Sequence, residues 1–131
     1  MNLSLIPVSE GLIEYCFQNR LNKDKYDIDE AYFMELWLKY KTYMRIIVVD
    51  DAIVGVSGLI PGEDGLLGYL ILTNSYKKYA KYIIKQIREV FSKIKCKIKF
   101  INHHDDKVTH KWYGLLGFKR IDNYWVREAL I

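Results

Sequence analysis

Leu66-Leu67-Gly68-Tyr69-Leu70-Ile71-Leu72-Thr73-Asn74-Ser75-Tyr76-Lys77-Lys78-Tyr79-Ala80-Lys81-Tyr82-Ile83-Ile84-Lys85-Gln86-Ile87-Arg88 changes its hydrophobic period part-way along. As far as Leu72 it is an apolar run of strand length. Beyond it, Ala80, Ile83, Ile84, Ile87, Phe91 and Ile94 fall at offsets 0, 3, 4, 7, 11 and 14, one apolar stripe along a helix. Ser75 or Asn74 stands where an N-cap belongs, and the spacing predicts a helix over about 75–94. Lys77, Lys81, Lys85 and Arg88 make a second, basic stripe on another face. From Lys95 to Phe100 the period becomes two, with Lys95, Lys97 and Lys99 on one side and Cys96, Ile98 and Phe100 on the other. A strand, a helix and a second strand joined in this way can lie parallel in one sheet.

Upstream, residues 3–8 read as a strand with Pro7 near its end. Residues 10–21 read as a helix with Ser9 as N-cap and Leu12, Ile13, Cys16, Phe17 and Leu21 at helical spacing. Asp27 or Asp29 caps a second helix carrying Phe33, Met34, Trp37, Leu38 and Met44. Arg45 to Val49, the turn Asp50-Asp51, and Ala52 to Ile60 read as a hairpin. The punctuated Pro61-Gly62-Glu63-Asp64-Gly65 then returns the chain into Leu66–Leu72. Downstream, 107–116 is an amphipathic helix using Val108, Trp112, Leu115 and Leu116. Gly117 sits at a left-handed C-cap with Phe118 as its apolar partner. Tyr124 to Ala129 is a final strand. Tight turns force antiparallel pairs, so the expected class is α/β (α+β): a mixed, mostly antiparallel sheet of about six strands with helices on both faces. One domain over 1–131 is expected.

Half of the 131 residues are apolar, enough to bury a core without a disulfide or metal staple. Cys16 and Cys96 form no CxxC pair, which points to a reducing, cytoplasmic setting. The N-terminus lacks a signal pattern, and no apolar run reaches membrane length. The net charge is +4, yet nine basic residues and the lone carboxylate of Glu89 lie between Lys77 and Lys99. Such a run is a solvated face or a polyanion site. Walker-type and GxSxG motifs are absent, and no RNP-like aromatic motif accompanies the basic stripe.

Three segments resemble the GNAT superfamily of N-acetyltransferases. Val48-Val49-Asp50-Asp51-Ala52-Ile53-Val54-Gly55 is similar to its second-to-third strand hairpin. Gly68-Tyr69-Leu70-Ile71-Leu72 and the basic helix start are similar to its cofactor strand and helix, and Trp112-Tyr113-Gly114-Leu115-Leu116-Gly117-Phe118 to its late Leu-Gly-Phe helix. The resemblance implies that the strand ending at Leu72 and the one starting near Cys96 are parallel neighbours splaying apart at their ends. It implies acetyl-CoA as cofactor, with Leu72 on the pantetheine edge and Lys77, Lys78, Tyr79 and Ala80 on the phosphates. It implies Tyr113 as the general acid, since it stands four residues before Gly117. The family's glycine-rich pyrophosphate loop is degenerate here. Lys77 holds its basic position, Ala80 its first glycine and Tyr82 its second small position, where a side chain crowds the backbone approach of a phosphate. A narrower likeness, Val108-Thr109-His110-Lys111-Trp112 followed by Leu116-Gly117-Phe118-Lys119, is to GNAT-like proteins of short-tailed phages of the internal virion protein A type.

No base is singled out by spacing. Glu63 and Asp64 lie in a turn, and His103 and His104 close the fifth strand ahead of Asp105 and Asp106. His103 is carried as a candidate catalytic group because imidazole titrates near neutrality. Adjacent strand residues face opposite ways, so the His-His-Asp-Asp run is not read as a metal site. The leading expectation is acetyl transfer to a small-molecule or protein amine. The alternative is a non-catalytic GNAT-like phage protein, a virion component or host-protein binder, that meets its partner through exposed aromatics. Nucleic-acid binding ranks last for want of a recognition motif, and no membrane role is expected.

Overall fold

The computed structural model describes residues 1–21, 23, 28–101 and 107–130, the Val108 side chain excepted. The elements are β1 (Leu3–Pro7), α1 (Glu10–Gln18), α2 (Glu30–Lys39), a short 3-10 turn (Lys41–Tyr43), β2 (Met44–Val49), β3 (Ala52–Gly62), β4 (Gly65–Leu72), α3 (Tyr76–Ser92), β5 (Ile98–Ile101), α4 (Lys107–Leu115), β6 (Lys119–Ile121) and β7 (Tyr124–Arg127). One sheet holds these strands in the order β1-β2-β3-β4-β5-β7-β6. Its β4 and β5 are parallel, and its other neighbouring pairs are antiparallel.

Local chemistry accounts for the turns. Asp50 and Asp51 take left-handed φ values of 48° and 67°, which a two-residue hairpin needs and Asp tolerates. Ser9 and Asp29 cap α1 and α2, their side chains accepting from the Leu12 and Tyr32 N–H groups. Asp27, the other candidate cap, lies outside the described residues. Gly117, at φ 88°, follows α4. The Phe118 N–H there donates back to the Tyr113 carbonyl at 3.0 Å, so one glycine sets the last turn of the helix that carries Tyr113.

The sheet divides the core in two. On one face α1 and α2 pack Ile13, Cys16, Phe17 and Phe33 against Ile46, Val56, Tyr69 and Ile71. On the other, α3 and α4 pack Tyr76, Ile83, Phe91, Trp112 and Tyr113 against Ile47, Leu70, Leu72 and Phe100. Along β4 the alternation is regular, with Tyr69 and Ile71 on the first face and Leu70 and Leu72 on the second. In β3 it flips: Val54 joins one cluster and Val56 the other. The register passes from Ile47↔Gly55 to Val48↔Ile53, which leaves Val54 as the extra residue of a β-bulge.

The mixed, mostly antiparallel sheet expected from the sequence is present, and it gains a seventh strand because the last segment is a hairpin turning at a left-handed Asp122. The first arm of that hairpin, Lys119-Arg120-Ile121, is exposed throughout, so it carries no alternating signal. Three element boundaries move. The fifth strand begins at Ile98, and Cys96 is exposed rather than inward. Arg127 is the cause: its guanidinium donates to the Phe91, Ile94 and Cys96 carbonyls, so the chain ahead of Ile98 is a capped connection instead of a ladder. The second helix stops at Lys39, and Met44 starts β2, fully buried. The first helix stops at Gln18, because Arg20 forms a bridge with Thr73 at the end of β4.

Candidate active site

Among the described residues, pairing of β4 with β5 covers Leu66↔Ile98, Leu67↔Lys99 and Gly68↔Phe100, while β4 runs on to Leu72. Gly68 stands at this vertex with the Phe100 ring so close that any Cβ would enter it. The Leu66 N–H donates to the Lys97 carbonyl at 2.8 Å. Strand alternation therefore turns the N–H and C=O of Leu70 to the same side, beyond the last residue paired with β5. Leu72 lies further out, and its carbonyl accepts the Leu21 N–H at 2.8 Å. The Asn74 N–H donates to the Asn19 carbonyl at 2.9 Å. Among the described residues, Leu70 and Leu72 are thus the β4 positions beyond Gly68 that face the β5 side.

The start of α3 is built by Thr73. Its hydroxyl donates to the Ile53 carbonyl at 2.8 Å and accepts the Ser75 N–H at 3.3 Å. Its carbonyl accepts the Tyr76 N–H at 3.1 Å. Ser75 holds the cap position without a side-chain cap bond, and Tyr76 is buried completely as the first helical residue. Helix geometry then commits the Tyr79 and Ala80 N–H groups to the Ser75 and Tyr76 carbonyls. It leaves the Lys77 and Lys78 N–H groups pointing out of the first turn, where the helix dipole favours an anion. The Lys77 and Lys78 side chains are exposed. Tyr79 is 8% exposed and serves the core, with the Lys78 ammonium 5.4 Å from its ring centre. Tyr82 lies a turn further on, and its hydroxyl donates to the Met1 carbonyl at 2.9 Å. That bond ties its ring to the first residue of the chain.

Tyr113 is 3% exposed. Its ring stacks on Trp125 with centroids 5.0 Å apart and planes 13° from parallel, and meets Phe100 at 5.7 Å and Phe118 at 5.5 Å. Burial, with the neighbouring Tyr76 second, pushes its phenol far above the ordinary tyrosine range. The group stays protonated at any physiological pH. Against a thiolate of ordinary basicity, about 8.5, it is a hydrogen-bond donor more than a downhill proton source.

On the opposite face of the same strand, Tyr69 follows Gly68 directly. With Tyr32, Glu35, Tyr40 and Leu67 it lines a cleft of about 380 Å³. Burial and a hydrogen bond with Tyr32 raise the Tyr69 phenol well above its ordinary range. This second tyrosine site is invisible to sequence spacing, because its residues come from α2 and β4. Each reads locally as an ordinary amphipathic position.

The remaining candidates are placed as follows. His103, with His104, Asp105 and Asp106, lies outside the described residues. Asp64 pairs with Lys97 at 3.0 Å in an exposed turn. His110 is exposed and meets the Trp125 ring edge-on at 5.1 Å. Among the described residues no three His, Cys, Asp or Glu side chains converge on a metal site. No described helix is long and apolar enough to cross a membrane.

The arrangement of the whole chain recurs in solved structures. Ard1 from Thermoplasma volcanium superposes with a TM-score of 0.70 at 10% identity over 100% of this chain and 99% of its own. The chain has the GNAT fold. Arabidopsis thaliana Naa50 in complex with the bisubstrate analogue CoA-Ac-MVNAL gives 0.61 at 15% identity, covering 96% of this chain and 97% of that one. Aminoglycoside acetyltransferase AAC(6')-Ib in complex with coenzyme A gives 0.57 at 14% identity, covering 97% and 95%. No protein family and no curated protein matches the sequence. Within this GNAT fold, the open vertex and the α3 N-terminus lie along β4, and Tyr113 packs in the same cluster as Leu70 and Leu72 of that strand.

Proposed function

We propose that the protein is an acetyl-CoA-dependent N-acetyltransferase acting on an amine. The observation that carries this reading is the vertex at Gly68, where β4 leaves β5 and continues to the basic first turn of α3. The residues present fit an acyl-CoA. The Leu70 edge offers one donor and one acceptor to the pantetheine amides. The Lys77 and Lys78 N–H groups and ammonium groups offer donors and charge to the diphosphate. When bound, acetyl-CoA supplies an acetyl group activated as a thioester. Tyr113 then stabilises the charge developing on sulfur as a neutral donor held in an aromatic wall. The Tyr69 and Tyr32 cleft takes the amine acceptor, with Glu35 at its rim favouring a cationic one. His103 remains the candidate base.

A second reading, a non-catalytic GNAT-fold module with a protein partner, is favoured by the depth of Tyr113 and by the degenerate loop. Its phage form, a virion component or host-protein binder, rests on the sequence likeness alone. The exposed aromatics that would serve such a partner include Tyr15, Tyr32 and Tyr43.

One paired experiment decides between the two. Acetyl transfer to a panel of amines is measured for the unaltered protein, for Tyr113→Phe, and for Lys77→Ala with Lys78→Ala. The enzyme reading expects Tyr113→Phe to lower turnover by roughly 10² or more. It expects the lysine pair to weaken acetyl-CoA binding and its salt dependence. Turnover unchanged in Tyr113→Phe removes that residue from the chemistry. No turnover in the unaltered protein, with partner binding retained, supports the second reading.

A further inference from the structure

Beyond the first turn of α3, helices α3 and α4 carry cations that neither the fold nor the acetyl-CoA reading uses. On α3 these are Lys81 and Lys85, which with Arg88 continue the line begun by Lys77 and are exposed. From Lys77 to Arg88 the line is about 16 Å long at the helical rise. It lies on one flank of α3. The opposite flank carries Tyr82, whose hydroxyl reaches the Met1 carbonyl, while the Arg88 guanidinium donates to the Leu115 carbonyl of α4 at 3.1 Å. The basic flank therefore faces α4. On α4, Lys107 and Lys111 stand eight and four residues before Leu115 and are also exposed, so these positions share one side of that helix. Both helices follow the parallel strands β4 and β5 and run back along the sheet. Their N-terminal ends thus lie at one end of the molecule, and the two rows belong to neighbouring helices on one face of the sheet.

Among the described residues, counter-charge is sparse there. Glu89 is the one carboxylate in α3 and α4 together. It stands one turn beyond Lys85, yet among the described residues the one ion pair is the distant Lys97 with Asp64. The α3 dipole adds positive potential at the N-terminal end of its row.

We propose that this basic α3/α4 surface binds the phosphate backbone of a nucleic acid without reading its sequence. Lysine, a point charge with a long flexible stem, suits phosphate contacts that position rather than specify. The rows hold no Asn or Gln to reach base edges, so the lack of a recognition motif argues against base readout and leaves backbone binding intact. A membrane is the poorer fit. The large apolar side chain exposed beside these rows is Leu115, at 45%, too little to insert.

The test is fluorescence anisotropy of the full chain with a labelled 20-base-pair duplex of arbitrary sequence, between 50 and 200 mM salt. With four to five phosphates neutralised, affinity should fall by roughly 10²–10³ over that range. The triple variant Lys81→Gln, Lys85→Gln, Lys111→Gln should lower affinity at least tenfold at 50 mM and flatten the slope of log K against log salt by about 2.7. A triple of equal charge change elsewhere, Lys39→Gln, Lys41→Gln, Lys119→Gln, should leave the slope nearly unaltered. Equal losses in both triples, no binding by the unaltered protein at 50 mM, or tighter binding to phosphatidylserine vesicles than to the duplex would each overturn the proposal. Circular dichroism of both triples checks that the fold is retained. Acetyl-CoA is absent throughout, so the outcome does not depend on the catalytic reading.

Discussion

Cys16 and Cys96 carry the same thiol and meet opposite fates. Cys16 is fully buried on α1 and its thiol is pushed up to about 12 by desolvation, whereas Cys96 is exposed. Since the thiolate is the nucleophile, a thiol reagent at about pH 8, near the ordinary thiol range, should label one cysteine quickly and the second only on unfolding. Two fast equivalents by mass spectrometry would place Cys16 outside the core. Depth governs Tyr113 in the same way. Tyr113→Phe keeps the ring stack on Trp125, so its cost in stability should stay within about 1 kcal/mol, the net worth of one hydrogen bond.

At the level of elements, one residue ties the crossover together. Arg127 on β7 is 6% exposed, and its guanidinium reaches the carbonyls of Phe91 at 2.6 Å and Cys96 at 2.8 Å as well as that of Ile94. The Phe91 carbonyl also accepts the Ile94 N–H at 3.1 Å, whereas the Ile94 and Cys96 carbonyls lie past the end of α3, where helix and ladder bonds run out. Burial lowers the basicity of the guanidinium, a cost that the charge-assisted bonds offset. Arg127→Met should take the side-chain donor from all three carbonyls, leave those of Ile94 and Cys96 unsatisfied, and destabilise the fold by about 2–4 kcal/mol in urea unfolding. Arg127→Lys should recover less than half, because an ammonium cannot span a fork of carbonyls. Full recovery by lysine would show that charge alone matters there.

For the whole molecule, the buried acids set the response to alkali. Cys16, Tyr69 and Tyr113 are all raised in the folded state, chiefly by desolvation. Below their ordinary values of 9.0 for the thiol and 10.0 for the phenols, both states hold these protons and folding is undisturbed. Above them the unfolded chain releases protons that the folded chain keeps, so stability falls as pH rises. Stability measured by urea unfolding should drop from about pH 9 upward, by up to about 1.4 kcal/mol per pH unit for each group ionised only when unfolded. Tyr113→Phe should make the limb above about pH 10 shallower. An alkaline slope identical in that variant would mean that the Tyr113 phenol titrates as freely in the fold as in the unfolded chain.

The element order, the α3 stripe, the Asp50-Asp51 turn and the Gly117 cap were legible in the sequence. Each rests on forces that act within a few residues: side-chain period, capping and left-handed backbone preference. The same locality explains why Tyr113 and the lysines of α3 could be singled out, since each stands at a fixed offset from a glycine or a strand end. Tertiary structure alone decided the rest. Strand β6 carries no period because its three residues are all wet, and Cys96 leaves the strand because a guanidinium 31 residues away takes its carbonyl. The Leu72 carbonyl is taken by Leu21, on a turn far away in the chain, which no local spacing shows. The tyrosine cleft and the basic α3/α4 surface likewise join residues from separate elements. Hydrogen bonds and charges that meet across the sheet leave no trace in spacing along the chain.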